Sequence, residues 1–368
     1  MHAAGGAHEL FWRATGLVGL AGRRDGAARA VPCGARDAAA PPWSSHLHGY
    51  TVGDCAALDQ SSVSLVLTRD ARDGLDPPVR IVTVTRGDAR GPGRVVRHEA
   101  RLDASEIAAV PDAARFVAVD VMGRVLSGDA TRATRETRVP IDISRTPIQA
   151  SVTAVARVGG TVFAVGWPRR VWRRRGAGTW AAMDQGLPLP SACRGRDLDA
   201  AAHEPASTCR FRTVAGFGES DVYVGGDDGE LWHWNAVAWR RCRFPSTDRI
   251  DAAVAAGHQL FVATGSGAVW RGRGDAWQLV LDNGGPRVRD LAWFDDCLWA
   301  GMDGGGLWTI DGRTRPRRPA GVRRALAERL ERLDVTPGGT HLLASGPAGA
   351  AVFDGERWDV LVEAAALP

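Results

Sequence analysis

The stretch from residue 250 to 281, IDAAVAAGHQLFVATGSGAVWRGRGDAWQLVL, decides the fold of this chain. β-branched, aromatic and small apolar residues form four short runs in it, and such runs are typical of β-strands. Connectors that contain glycine separate the runs, because tight hairpins need the positive φ angles that glycine adopts freely. The apolar residues lack the 3.6-residue spacing of a helix. The stretch therefore predicts four strands joined by short turns, at Ile250–Ala256, 260–264, 268–272 and 277–281.

The same unit recurs through the second half of the chain. An aliphatic residue followed by tryptophan stands at Trp232, Trp270 and Trp308, at two successive intervals of 38 residues. Another copy ends at Trp172, which precedes Trp232 by 60 residues, so that unit carries an insertion, placed at 188–210. Four strands at a period near 40 residues are the signature of a β-propeller blade.

We therefore predict an all-β fold, a β-propeller of seven four-stranded blades, with six or eight blades as the alternatives. Five regular blades occupy residues 152–368, and two divergent blades are expected in residues 61–151. Residues 1–60, including a strand-like stretch at 10–20, are expected to pack on a blade or to complete one. All of these segments belong to a single propeller domain.

Composition narrows the class of protein. The chain has 46 basic residues, all of them arginine, against 42 acidic residues. The net charge of +4 is spread over 368 residues, which makes a nucleic-acid partner an unfavoured prediction. No apolar stretch reaches the length of about 20 residues that spans a bilayer, and the start of the chain lacks a secretory signal pattern. We expect a cytoplasmic protein with reduced cysteines and no membrane partner.

Two segments carry a resemblance to known propellers. VGGDDGELW at 224–232 and GMDGGGLW at 301–308 resemble blades of bacterial propellers of the Trp-Asp-repeat-like (WD40-like) and Tyr-Val-Thr-Asn-repeat-like superfamily. The resemblance extends over residues 150–365. Some bacterial propellers of this kind resemble immunity proteins that neutralise secreted antibacterial toxins. The resemblance implies a non-catalytic protein-interaction propeller whose partner is a toxin domain, and a general scaffold protein is an alternative.

Catalytic signatures are absent from the sequence. Residues 173–180 match the Asp box of sialidase-type propellers poorly, and Tyr223 lies inside a repeated strand where other copies have phenylalanine. His46 and His48 supply only two possible metal ligands. We therefore predict no catalytic residue, no metal and no cofactor. The enzyme alternative, a glycosidase or lyase working in the central pocket, requires two carboxylates or a metal-ligand cluster to converge on the channel.

One face of the propeller is the predicted interaction surface. Connectors between the second and third strands of a blade open on the same side as the connectors between blades, and we call this side the connector face. Loops on a rigid scaffold are where recognition concentrates. The candidate protein-binding residues are Trp167, Arg169, Arg194, Arg196, Asp227, Asp228, Asp303, Arg317 and Arg318.

Each candidate charge also has a simpler interpretation. The aspartates could bind a cation or a basic partner, but aspartate also favours turns by bonding to its own backbone. The arginine runs at 169–175 and 313–324 could form a patch for an acidic partner, or they could be solvated surface.

Overall fold

The computed structural model describes the chain from residue 46 to 363 in the ranges given at the end of this paragraph. The described residues form a seven-bladed β-propeller, as predicted. No helix among them is both long enough and apolar enough to cross a membrane. The described residues are 46, 49–69, 79–87, 93–99, 101–103, 105–111, 113–142, 149–188, 209–282, 284–310 and 316–363.

The first three blades are four-stranded antiparallel sheets made from consecutive strands. Blade 1 contains β1 (Tyr50–Ala57), β2 (Ser62–Arg69), β3 (Arg80–Thr85) and β4 (Arg94–Glu99). Blade 2 contains β5 (Ser105–Val110), β6 (Arg115–Asp120), β7 (Val125–Gly128) and β8 (Ala133–Glu136). Blade 3 contains β9 (Ser151–Val158), β10 (Thr161–Trp167), β11 (Arg170–Gly176) and β12 (Thr179–Ala182).

The remaining four blades follow the same order along the chain. Blade 4 contains β13 (Phe211–Gly218), β14 (Asp221–Gly226), β15 (Leu231–Trp234) and β16 (Trp239–Arg241), and blade 5 contains β17 (Ile250–Ala256), β18 (Gln259–Thr264), β19 (Val269–Arg273) and β20 (Ala276–Leu281). Blade 6 contains β21 (Val288–Phe294), β22 (Cys297–Met302) and β23 (Gly306–Ile310). Blade 7 contains β24 (Arg332–Val335), β25 (Leu342–Gly346), β26 (Gly349–Phe353) and β27 (Trp358–Glu363).

The first strand of every blade lies closest to the propeller axis, and neighbouring first strands pack against each other around it. Small residues dominate there because the strands converge, whereas the gap between blades widens outward and takes aromatic side chains. Trp172 in β11 fills such a gap with no exposed surface, and its indole Nε1 donates to the Pro140 carbonyl oxygen at 3.0 Å. Between blades 6 and 7, Phe353 stacks on Trp358 with ring centroids 4.9 Å apart.

The ring closes at a seam between blade 7 and blade 1. No described strand is shared across this seam, since each sheet is made of consecutive strands. Apolar side chains of both blades, among them Leu65 and Leu343, form one buried cluster instead. At the outer edge of the seam, Arg86 Nε lies 3.1 Å from an Asp359 carboxylate oxygen.

Blade 6 departs from the regular pattern at its outer edge. Its sheet has three strands among the described residues, and Arg317 forms a single bridge to Thr309 of β23 where a fourth strand would start. The chain then forms the short helix α1 (Arg324–Ala327). Leu326 and Leu330 are fully buried in the cluster that joins blades 6 and 7. The connector therefore fills part of the space that a fourth strand occupies in the other blades.

The first blade begins within the predicted N-terminal segment. Its innermost strand is β1, at Tyr50–Ala57, so blade 1 starts before residue 61. The sequence YTVGDCAA has the small-residue character of the other first strands, which is the signal that marks it. The strand-like stretch at 10–20 lies outside the described residues.

Candidate interaction face and central channel

Arg169 lies on the connector face, between β10 and β11, but its guanidinium is bound inside the molecule. Nε and Nη2 donate to the two carboxylate oxygens of Glu230 in blade 4, at 2.7 and 2.6 Å. Nη1 donates to the Pro188 carbonyl oxygen at 2.7 Å, and the backbone N–H of Arg169 donates to the Cys209 carbonyl oxygen at 2.8 Å. Arg169 therefore joins blades 3 and 4 and holds both ends of the 188–210 insertion. Arg194 and Arg196 lie outside the described residues.

The two aspartates of blade 4 have different surroundings. Asp227 is buried, and its Oδ1 accepts a hydrogen bond from Arg212 Nε at 2.6 Å. Its Oδ2 accepts the backbone N–H of Arg210 at 3.2 Å, so the carboxylate fixes the start of β13. Asp228, in a left-handed conformation with φ of 56°, is exposed. Of the two, only Asp228 is available to a partner.

Asp303 occupies the equivalent connector in blade 6 and is exposed. Its Oδ1 lies 3.9 Å from Arg289 Nη1, and Arg289 also lies 3.0 Å from a carboxylate oxygen of Glu331. Asp227 and Asp303 thus contact different arginines, with blade 5 between their blades. Among the described residues, no three His, Cys, Asp or Glu side chains are grouped to hold a metal ion.

The remaining candidates lie in two places. Trp167, at the end of β10, is half-buried on the connector face. Arg317 is exposed at the outer edge of blade 6, and Arg318 places its guanidinium carbon 4.3 Å from the centroid of the Trp308 ring. The described candidates therefore form two groups, one around the connectors of blades 3 and 4 and one on blade 6.

The arginine run at 169–175 is a set of ion pairs rather than a free basic patch. Its side chains reach carboxylates in three different segments. The pairs are Arg170 with Asp184 at 2.5 Å, Arg173 with Glu219 at 3.0 Å and Arg174 with Glu136 at 2.7 Å. Glu136 belongs to blade 2 and Glu219 to blade 4, so the run ties blade 3 to both neighbours.

The central channel holds charged residues that the sequence analysis missed. It encloses about 360 Å³ and is lined by the first strands of all seven blades. At equivalent register positions, four neighbouring blades contribute Asp290, Arg332, Asp54 and Glu106, whereas the other three contribute Ala154, Thr213 and Ala252. The signal for these residues is a charged residue at a position where regular blades have a small one.

Three of the channel aspartates tie adjacent blades together. Each accepts a hydrogen bond at its Oδ2 from a backbone N–H in the first strand of the next blade, at 2.8 or 2.9 Å. The pairs are Asp290 with Leu333, Asp334 with Ala57 across the seam, and Asp54 with Ile107. These contacts give the aspartates a structural role.

Burial raises the pKa of several channel carboxyls. The pKa rises to about 6 for Asp334, to about 7 for Asp290 and to about 8 for Glu106, where the charge of Asp54 adds to the effect of burial. The Arg332 guanidinium opposes the shifts of Glu106 and Asp290 and lies 3.9 Å from a Glu106 carboxylate oxygen. Asp54 and Glu106 both line the channel, which is the placement of two carboxylates that the enzyme alternative requires. Within the described residues, no backbone N–H donates to the Glu106 carboxylate.

No family model matches the sequence. Over 178 residues the chain is 28% identical to the immune protein Tsi7 of Pseudomonas aeruginosa. That match covers 46% of this chain and 54% of the relative, so the chain spans about half the length of the curated relative.

Solved structures show the fold alone. The WD40 β-propeller domain of Doa1 superposes with a TM-score of 0.56 at 10% identity, covering 84% of this chain and 94% of that domain. YCF48 bound to D1 peptide superposes with a TM-score of 0.52 at 12% identity, covering 83% of this chain and 91% of that structure. The fold is thus similar to that of WD40-type propellers.

Proposed function

We propose that this WD40-like propeller is a non-catalytic interaction protein that binds and neutralises an antibacterial toxin in the bacterial cytoplasm. The similarity to the immune protein Tsi7 over about half of the chain carries this proposal. Neutralisation needs a rigid surface that covers another protein, and no chemistry of its own. Seven sheets joined by buried clusters and ion pairs supply such a surface.

The candidate residues divide into contacts and supports. Asp228, Asp303 and Arg317 are exposed and Trp167 and Arg318 are half-buried, so these five are proposed as contacts. Tryptophan and arginine are enriched at interface hot spots. Arg169 and Asp227 are proposed to act indirectly, by fixing the connectors, because their charged groups bond within the molecule. Arg194 and Arg196 of the insertion stay proposed contacts.

A growth assay tests this proposal. The open reading frame next to this gene is expressed in a heterologous bacterium with and without the propeller. We expect the neighbouring product to arrest growth, the propeller to restore growth, and the purified proteins to form a stable complex. A neighbouring product that is harmless, or whose toxicity the propeller leaves unchanged, would contradict the proposal.

A channel enzyme is the second candidate, favoured by the pair formed by Asp54 and Glu106. Burial and the charge of Asp54 raise the pKa of Glu106 to about 8, and a carboxyl that stays protonated at neutral pH can act as a general acid on a glycoside or a lyase substrate. The variant Glu106→Gln separates the two functions, since it removes the acid and leaves the connector face unchanged. Toxin protection should survive this variant, and its loss would favour the channel.

A further inference from the structure

The outer edge of blade 6 carries a tryptophan with an arginine stacked on it, and two more arginines follow in the same connector. We define the Trp308 patch as Trp308, Arg317, Arg318 and Arg324. We propose that the Trp308 patch is the docking surface for a carboxylate-rich protein surface, and this inference rests on the proposed function in taking the partner to be a protein.

The frame of the patch is fixed before any partner binds. The backbone N–H of Arg317 donates to the Thr309 carbonyl oxygen at 2.9 Å, and the Arg317 carbonyl oxygen accepts the Thr309 N–H at 2.8 Å. The indole Nε1 of Trp308 donates to the Gly305 carbonyl oxygen at 2.8 Å. A surface ordered in advance loses less conformational entropy when it binds.

Positive charge is in excess at the patch. Arg317 is exposed, and the Arg324 side chain is 87% exposed. Glu328 is the carboxylate that pairs with Arg324, at 2.8 Å, and its charge partly opposes the lowering of the Arg318 pKa by burial. Among the described residues, Glu328 interacts with the guanidinium groups of Arg324 and Arg318, while Arg317 is exposed. The excess charge favours an anionic partner.

Arg318 is the member best prepared to bind a carboxylate. Its guanidinium carbon lies 4.3 Å from the Trp308 ring centroid, and this stacking orients the planar group. Burial lowers the pKa of Arg318, yet an arginine keeps its charge at neutral pH. Its Nη1 is buried and has no hydrogen-bond partner within the described part of the chain. A planar donor that is held in place by stacking suits two-point recognition of a carboxylate through its accessible N–H groups.

The size of the patch favours a protein over a nucleic acid. A protein that tracks phosphates presents a long row of cations, and its binding energy grows with the number of phosphates neutralised. The Trp308 patch combines an arginine stacked on a tryptophan with two further arginines in the same connector, and both residue types are enriched in protein interface hot spots.

Fluorescence anisotropy with labelled poly-L-glutamate as the probe tests the inference. The double variant Arg317→Glu, Arg318→Glu is compared with Arg132→Glu, Arg135→Glu on blade 2, where both arginines are also exposed. The two variants change the net charge equally. We expect the blade 6 variant to weaken binding about tenfold at an ionic strength of about 0.15 M, and the blade 2 variant to leave it nearly unchanged. Equal losses in both variants would overturn the inference.

Two further variants separate stacking from charge. Arg318→Lys and Trp308→Leu both keep the net charge of the wild-type chain. The first variant removes the planar guanidinium and the second removes the ring on which it stacks. Each should weaken probe binding about threefold, and unchanged binding in both would contradict the role given to Arg318. Thermal melts confirm that every variant is folded, and Arg317→Gln, a change at an exposed side chain, serves if the double variant is not.

Labelled duplex DNA is the competing probe. If the duplex bound more tightly than poly-L-glutamate, and the blade 6 variant lost this binding, the partner would be a nucleic acid and not a protein. Failure with poly-L-glutamate leaves the growth assay for toxin protection unaffected. If the growth assay failed while the probe still bound through the Trp308 patch, the immunity function would be refuted. The inference of an acidic partner would then still hold.

Discussion

Removal of Glu230 should destabilise the propeller strongly, because it leaves the Arg169 guanidinium buried without its counter-ion. The two carboxylate oxygens of Glu230 accept hydrogen bonds from Arg169 at 2.6 and 2.7 Å. The side chains of this pair are only 13% and 9% exposed. In Glu230→Ala, Arg169 keeps its hydrogen bond to the Pro188 carbonyl oxygen and loses the other two.

The expected loss of stability follows from that geometry. Removing one partner of a buried ion pair costs about 3–5 kcal/mol, since the remaining charge is uncompensated. The retained bond to Pro188 places Glu230→Ala at the lower end, at about 3 kcal/mol. Replacing both residues, as in Arg169→Met with Glu230→Leu, should cost less than Glu230→Ala alone, because no charge is then left buried.

Urea unfolding followed by tryptophan fluorescence measures these differences. Asp275→Asn is the matched control, since the Arg240–Asp275 pair has a similar separation of 2.8 Å but lies exposed at the surface. Its unfolding midpoint should stay at the wild-type value. If Glu230→Ala were no less stable than Asp275→Asn, or if the double variant were the least stable of all, the buried pair would not have the role assigned to it.

Three further predictions concern the channel, the seam and the core. Because the pKa values of the channel carboxyls are raised, the folded state holds protons more tightly than the unfolded chain. The contribution of these groups to stability should therefore be greatest below about pH 4 to 5. It should fall as the pH rises to about 8. Glu106→Gln should flatten that fall in urea unfolding measured across the range, and an unchanged slope would contradict the assignment. Asp334→Asn should speed hydrogen exchange at Ala57 and along the seam, whereas uniform exchange rates would argue against an aspartate clasp there. Trp172→Ala should cost about 3–5 kcal/mol by calorimetry, and Val237→Ala, at a side chain 83% exposed, should change little.

The strands and their turns were predictable because they depend on neighbouring residues. The runs expected at Ile250–Ala256, 260–264, 268–272 and 277–281 agree with the observed strands β17 to β20 to within one residue at each end. Alternating apolar residues and glycine turns encode a hairpin locally, and the regular return of tryptophan encodes the gap between blades.

Two structural features were not predicted from the sequence, the outer edge of blade 6 and the ion pairs of the arginine run. The outer edge of blade 6 looked regular up to Trp308, but its connector packs Leu326 and Leu330 between blades and forms one bridge at Arg317. The arginines at 169–175 looked like surface, because their carboxylate partners Glu136 and Glu219 belong to other blades. A run of charges shows no partner until the blades are assembled.

The sequence by itself determined that this chain is a propeller of repeated four-stranded units, and it showed where the repeats are interrupted. Only the tertiary structure decided which charges remain free. Ala57 and Asp334 are 277 positions apart in the chain, yet they bond across the seam once the ring closes. Likewise, the four charged channel residues share one layer only because the register of each blade sets their height on the axis. Hairpins follow from local backbone preferences, whereas ion pairs between blades depend on a closed ring that no short segment encodes.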